Sequence, residues 1–279
     1  MTYIIIPLWF YEFGSLMYFL SSAVAFLVSY FSFRLYRYSG SRQHLFLSAA
    51  FAFITLGLVI LTVGNVISYF NFEECKPNCK IDPTDATYMW IRLGNYGYYF
   101  TSAIGYALLA LSYFKINFKG SMRSKLKNKI NSNIKLKNKR LILPVLFLPL
   151  LTILAIPAIP PAFDITIILA PQQTYVLYPF VNPYFQTFHV LSSIFLAYIV
   201  FQVLPTYLRC RERLCLLVLL SFLSVLFYHV LMFAVAMHPI CFALAHFSLL
   251  AGFGMLLLML VKVGVDEHER SKIKNASHH

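Results

Sequence analysis

Residues 214–263 read LCLLVLLSFLSVLFYHVLMFAVAMHPICFALAHFSLLAGFGMLLLMLVKV. Two apolar runs, about 214–237 and 239–263, are separated by almost nothing. Each exceeds the about 20 residues with which a helix crosses hydrocarbon. The stretch therefore predicts two antiparallel membrane spans joined by a very tight turn, and that pair decides the fold class.

Working outward from this pair, five further apolar stretches have spanning length, at about 13–35, 45–70, 88–114, 141–160 and 184–208. Composition agrees. The chain is 59% hydrophobic and 12% charged, with a mean hydropathy of +0.71, where a soluble domain carries about 25% charged residues. Seven spans consume most of the 279 residues, which leaves no room for a nucleotide-binding or hydrolase domain. The expected fold is an all-α integral membrane bundle of seven transmembrane helices, one polytopic domain over residues 1–279. Its expected surroundings are the lipid bilayer of the cell membrane and other membrane subunits.

Charge sets the orientation, because basic residues in short loops stay on the cytoplasmic side. The first loop holds Arg34, Arg37 and Arg42, and the third holds Lys115, Lys119, Arg123, Lys125, Lys127, Lys129, Lys135, Lys137, Lys139 and Arg140. Arg209, Arg211 and Arg213 lie in the fifth loop, and Lys262, Arg270, Lys272 and Lys274 in the tail. The other side has Lys76, Lys80 and Arg92 against Glu12, Glu73, Glu74, Asp82, Asp85 and Asp164. The N-terminus is therefore expected outside and the C-terminus inside.

The first twelve residues lack the basic start of a signal peptide. Tyr3, Trp9, Phe10 and Tyr11 read as an interfacial aromatic anchor. Cys75 and Cys79 flank Lys76-Pro77-Asn78 on the outer side, a spacing that suits a small disulfide or two thiols. A metal site there has only carboxylates such as Glu73 and Asp82 for further ligands. Residues 161–183 form an apolar outer loop broken by Pro171, Pro179 and Pro183. Irregular backbone exposed to lipid is prohibitive, so this segment is expected to lie as a lid, to re-enter between helices, or to be covered by a partner.

His189, His229 and His246 fall about 8–12 Å below the outer boundary at 1.5 Å per residue. Because the last two spans are neighbours, His229 is expected to face His246. Facing histidines suit haem b, and three suit a metal ion or a proton relay. The alternative is polar glue between helices, with Gln186, His189 and Ser193 on one seam. Ser224 with His229 and His246 resembles the intramembrane ceramidases only loosely, and no span holds an aspartate to complete that site. Lys262 lies at the inner end of the last span and snorkels, unlike a retinal-binding lysine. Glycines at 57, 64, 94, 97, 105, 252 and 254 are expected to let helices approach closely. Asn65, Asn95 and Gln202 are candidates for a polar path.

The basic loop 115–140 carries ten positive charges and no acid. Leu126, Ile130 and Ile134 suggest a basic amphipathic helix within it. It reads either as an orienting, lipid-touching segment or as a docking face for an acidic cytoplasmic protein or nucleic acid. In span number, small loops and Lys/Asn/Ile/Tyr-rich composition the chain resembles polytopic membrane proteins of archaea. These include the multi-pass component of the crenarchaeal DNA-import system and the hydrophobic subunit of archaeal cytochrome b complexes. The first resemblance implies a non-enzymatic component of a transport or translocation complex, and the second a haem b electron-transfer subunit. A seven-helix membrane sensor is the third expectation.

Overall fold

The computed structural model describes residues 2–6, 9–73, 80–81, 86–121, 165–169, 183–210, 212–235, 238 and 240–276. Within these the chain is helical, with α1 (Trp9–Ser39), α2 (Arg42–Glu73), α3 (Ala86–Ser121), α4 (Pro183–Cys210), α5 (Arg213–Ala234) and α6 (Ile240–Ala276). Five of them are long and apolar enough to cross a membrane: α1, α2, α4, α5 and α6. The third helix forms where a span is expected but is not in that set, since its glycines and its run Tyr96, Tyr98 and Tyr99 dilute the aliphatic content. The expected span 141–160 and most of the basic loop lie outside the described residues, as do Cys75 and Cys79. Cys215 and Cys241 are unbridged.

Apolar side chains point outward. Phe201 is 72% exposed, and Phe19, Phe26, Ile194 and Leu258 are exposed to a similar degree. The interior meanwhile buries Ser21, Ser32, Ser102, Ser192 and three histidines. Large apolar side chains outside, with polar ones admitted among an apolar core, suit a hydrocarbon surround, where helix association rests on packing and interhelical hydrogen bonds. Inside the helices, hydroxyls of Thr55, Thr62, Ser68 and Thr101 donate to the carbonyl four residues earlier, the local solution for such side chains.

Each helix packs on its predecessor, and α6 returns to α1, so the six close into a ring. Gly40, at φ 63°, ends α1 and donates its N–H to the Tyr36 carbonyl. The most extensive contact is between α2 and α3, and glycine makes it possible. A Cβ on Gly64 would stand 3.1 Å from the Gly94 Cα, and one on Gly105 would stand 2.8 Å from the Ala50 carbonyl oxygen. Between α5 and α6, Ser221 donates to the Gly252 carbonyl and Ser248 to the Ser224 carbonyl. Gly254 departs from the expectation, because a Cβ there would meet nothing within 4 Å.

A small sheet accompanies the helices and was not anticipated. Its strands are β1 (Thr2–Ile6), β2 (Lys80–Ile81) and β3 (Ile165–Leu169). The third strand is central, parallel to β1 with Thr2 opposite Ile165, and antiparallel to β2 with Lys80 opposite Ile168. Part of the apolar segment 161–183 therefore satisfies its backbone by strand pairing. The three paired segments are ones that the charge pattern assigns to a single side. The aromatic anchor is also revised: Tyr3 lies in β1, while Phe10 and Tyr11 are buried and Phe10 stacks on Phe242 of α6 at 4.1 Å.

A Cβ at Gly252 would approach the Val225 side chain to 2.7 Å and the Ser221 carbonyl oxygen to 2.9 Å. Gly252→Ala is therefore expected to destabilise the detergent-solubilised protein by about 1–3 kcal/mol through overpacking. Gly254→Ala is expected to be neutral or stabilising, because alanine favours a helix by up to about 1 kcal/mol over glycine. Thermal unfolding of the two variants, measured in parallel, checks the contrast.

Candidate functional site

Three helices bring the histidines together. His189 sits on α4, one and a half turns from its start at Pro183. His229 lies near the end of α5, and His246 in the second turn of α6. All three are 0–1% exposed. The helices run in alternating directions, so the three positions share one depth.

The pairing differs from the one expected. His229 bonds His189, Nδ1 to Nδ1 at 2.8 Å, rather than facing His246. In a pair of neutral imidazoles one ring donates its Nδ1–H and the other accepts. His246 turns its Nδ1 to the Phe242 carbonyl at 2.7 Å. A carbonyl only accepts, so Nδ1 carries that hydrogen and Nε2 of the neutral ring is an acceptor. The Nε2 atoms of His229 and His246 are buried without a hydrogen-bond partner. Among the described residues no three His, Cys, Asp or Glu side chains are grouped to hold a metal ion.

Tyrosines surround the histidines, and the sequence reading did not single them out. Tyr98 of α3 and Tyr228 of α5 meet hydroxyl to hydroxyl at 3.3 Å, and Tyr18 of α1 is a further hydrogen-bond neighbour of Tyr228. The Tyr18 ring stands edge-on to His246 at 4.6 Å, and Tyr106 edge-on to His229 at 5.2 Å. A sequence signal did exist. Interfacial belts collect tyrosine at span ends, whereas Tyr18, Tyr98, Tyr106 and Tyr228 fall inside their helices and are buried.

Beside this cluster lies a cavity of about 90 Å³ to which all six helices contribute. Tyr18, Tyr98, Tyr228 and His189 form part of its wall, and Phe10, Phe185 and Phe242 another part. Asn65 and Asn95 supply amides, with the Asn95 Nδ2 donating to the Ile91 carbonyl. Two of the three residues expected on a polar path, Asn65 and Asn95, therefore share one cavity wall. Gln202, on α4 three turns beyond His189, is not part of the wall. Among the described residues no charged side chain lines the cavity. Tyr69 donates to the Glu12 carboxylate at 2.9 Å. Of the three histidines, His189 reaches the wall. With its Nδ1 engaged by His229, Nε2 is the ring atom it can offer to an occupant.

The space is below the roughly 300–1,000 Å³ of drug-sized pockets. The side chains of the expected partner site, Lys119, Arg123, Lys125 and the other basic positions of the 115–140 segment, lie outside the described ones. The chain matches no protein family, no curated protein and no solved structure.

His189→Phe and His229→Phe are each expected to cost about 1–3 kcal/mol, because each strands an imidazole nitrogen without a partner. The double variant is expected to cost less than the sum, with a coupling of about 0.5–3 kcal/mol. Unfolding of the wild type, both singles and the double in one detergent gives the cycle; strict additivity would contradict a bonded pair.

Proposed function

We propose that this chain is a non-enzymatic, seven-span sensor of the cell membrane, N-terminus outside, that admits a small solute to a pocket in its outer half. The observation that carries the reading is the cavity of about 90 Å³ walled by all six described helices and reached by His189, which is bonded to His229 behind it. A solute held there touches every helix of the ring at once, so its binding energy can shift how the helices pack. The basic segment 115–140, on the cytoplasmic side in this reading, passes that shift to an acidic partner.

The test uses the full chain in lipid nanodiscs. Small neutral, cationic and anionic solutes are screened by thermal unfolding at matched ionic strength. At least one is expected to stabilise the wild type, by about 2.7 kcal/mol at a hundred times its dissociation constant. The same solute is expected to leave Val235→Phe, which fills the cavity wall, unchanged. A panel without effect on the wild type sinks the reading.

A second reading, a component of a translocation complex and possibly of DNA import, is favoured by the ten basic residues of that segment. Phosphate neutralisation makes such binding salt-dependent. Single-stranded DNA is then expected to bind permeabilised but not sealed vesicles, more weakly as salt rises, and not when the ten become glutamine. Binding to sealed vesicles would reverse the proposed orientation. The haem alternative calls for a Soret band in the purified protein, and its pairing of His229 with His246 is not the pairing in the structure.

A further inference from the structure

The outward face of α1 is aromatic along the span and ends in charge. Phe26, Tyr30, Phe33, Arg34 and Arg37 are all exposed. Counted from Phe26 they follow at i+4, i+7, i+8 and i+11, the spacing of one helix face. The opposite face, with Ser29, Ser32 and Leu35, is buried. There a Cβ on Gly264 of α6 would meet the Leu35 side chain at 4.0 Å. The two arginines therefore continue a stripe that looks away from the ring, toward lipid.

Depth puts them level with lipid headgroups. Glu12, near the start of α1, is exposed. From Glu12 to Arg34 the helix rises about 33 Å at about 1.5 Å per residue, close to the roughly 30 Å of hydrocarbon. Arg34 stands where the hydrocarbon ends, and Arg37 one turn beyond it. The Arg34 guanidinium lies over the exposed Tyr38 ring, 5.8 Å from its centroid, a contact that steadies it. Arg42, also exposed, opens α2 just past Gly40. No acid occurs in the chain between Glu12 and Glu73.

A partner for this face must offer hydrocarbon beside Phe26 and Tyr30 and an anion beside the arginines. An acidic protein supplies the anion but cannot follow the stripe into the bilayer. A phospholipid supplies both, since a guanidinium grips phosphate with two parallel N–H bonds. A lipid of net negative charge leaves that attraction unopposed by a headgroup cation.

We propose that the Arg34–Arg37 end of α1 is a binding site for an anionic phospholipid, its phosphate held by the two arginines and one acyl chain laid along Phe26, Tyr30 and Phe33. The site is separate from the cavity and does not rest on the solute reading.

The experiment sets a probe on the stripe, Phe33→Trp in the full chain with Trp9→Phe and Trp90→Phe. In nanodiscs of mixed lipid, quenching by brominated phosphatidylglycerol or brominated phosphatidylcholine reads which lipid sits beside the probe. Phosphatidylglycerol is expected to associate there about tenfold more strongly at low salt. Arg34→Gln with Arg37→Gln is expected to bring the ratio near one. Arg34→Lys is expected to lower it about twofold, because the charge stays and the planar fork is lost. If the double variant does not fold, Arg37→Gln alone decides, with a loss of about threefold. The native Trp9, used as the probe in Trp90→Phe, reads the other end of α1 and is expected to show no preference. Equal quenching by the two lipids at Phe33→Trp, or a preference that survives loss of the arginines, overturns the proposal. A preference of the same size at Trp9 reduces it to general attraction by a basic chain and overturns it too. Displacement of the brominated phosphatidylglycerol by polyglutamate hands the arginines to an acidic protein instead.

Discussion

Hydrocarbon offers no hydrogen bond, and the rest of the architecture answers to that constraint. Each hydroxyl, amide and imidazole placed within a span must find a partner inside the protein or remain costly. Several serines and threonines solve the problem locally, by donating one turn back along their own helix, as Thr55, Thr62 and Thr101 do, while Ser21, Ser32, Ser102, Ser192 and Ser193 keep buried hydroxyls without a partner. Those bonds hold no helices together. The bonds that cross between helices are fewer, and they fall where the ring is stitched: Ser29 to Ser48 between α1 and α2, Ser221 to Gly252 between α5 and α6, His189 to His229 between α4 and α5.

Closure of the ring then determines where the remaining polar groups go. Inside the ring, large amphipathic side chains pack among buried Leu, Ile and Phe. Tyr98, Tyr228 and Tyr18 gather there because their rings fill volume while their hydroxyls satisfy one another. Phe10 and Phe242 stack across α1 and α6 at the end where those helices begin. Tight α2–α3 packing through Gly64 and Gly94 brings Asn65 and Asn95, their immediate chain neighbours, to one cavity.

Helical architecture was legible in the sequence because hydrophobic length is a one-dimensional property. The runs that became α1, α2, α4, α5 and α6 needed no partner to be recognised. Depth was legible for the same reason: counting residues from span ends put His189, His229 and His246 at one level. Rotation about each helix axis was not. Which imidazole meets which depends on how α4, α5 and α6 are turned, and chain proximity argued wrongly for His229 with His246. The tight turn makes α5 and α6 neighbours without aiming those two side chains at each other. Strand pairing was equally hidden, since β3 recruits partners from 2–6 and 80–81, far away in the chain. Tyrosine was overlooked because its usual place at the interface masks its use inside.

The His189–His229 bond links the cavity to the interior in a definite sense. A hydrogen on the Nδ1 of His189 makes that ring's Nε2 an acceptor toward the cavity, and it makes the Nε2 of His229 a donor at the far end. A hydrogen on the Nδ1 of His229 reverses both. A ligand that donates to His189 therefore fixes the hydrogen-bond polarity of a buried atom it never touches, the unpartnered Nε2 of His229. That atom sits beside Tyr106 on α3, so the choice made at the cavity wall is presented, through two rings, to a third helix. An unpartnered nitrogen is costly as structure alone. It is well suited to report on the tautomer of its neighbour, because nothing else competes for it.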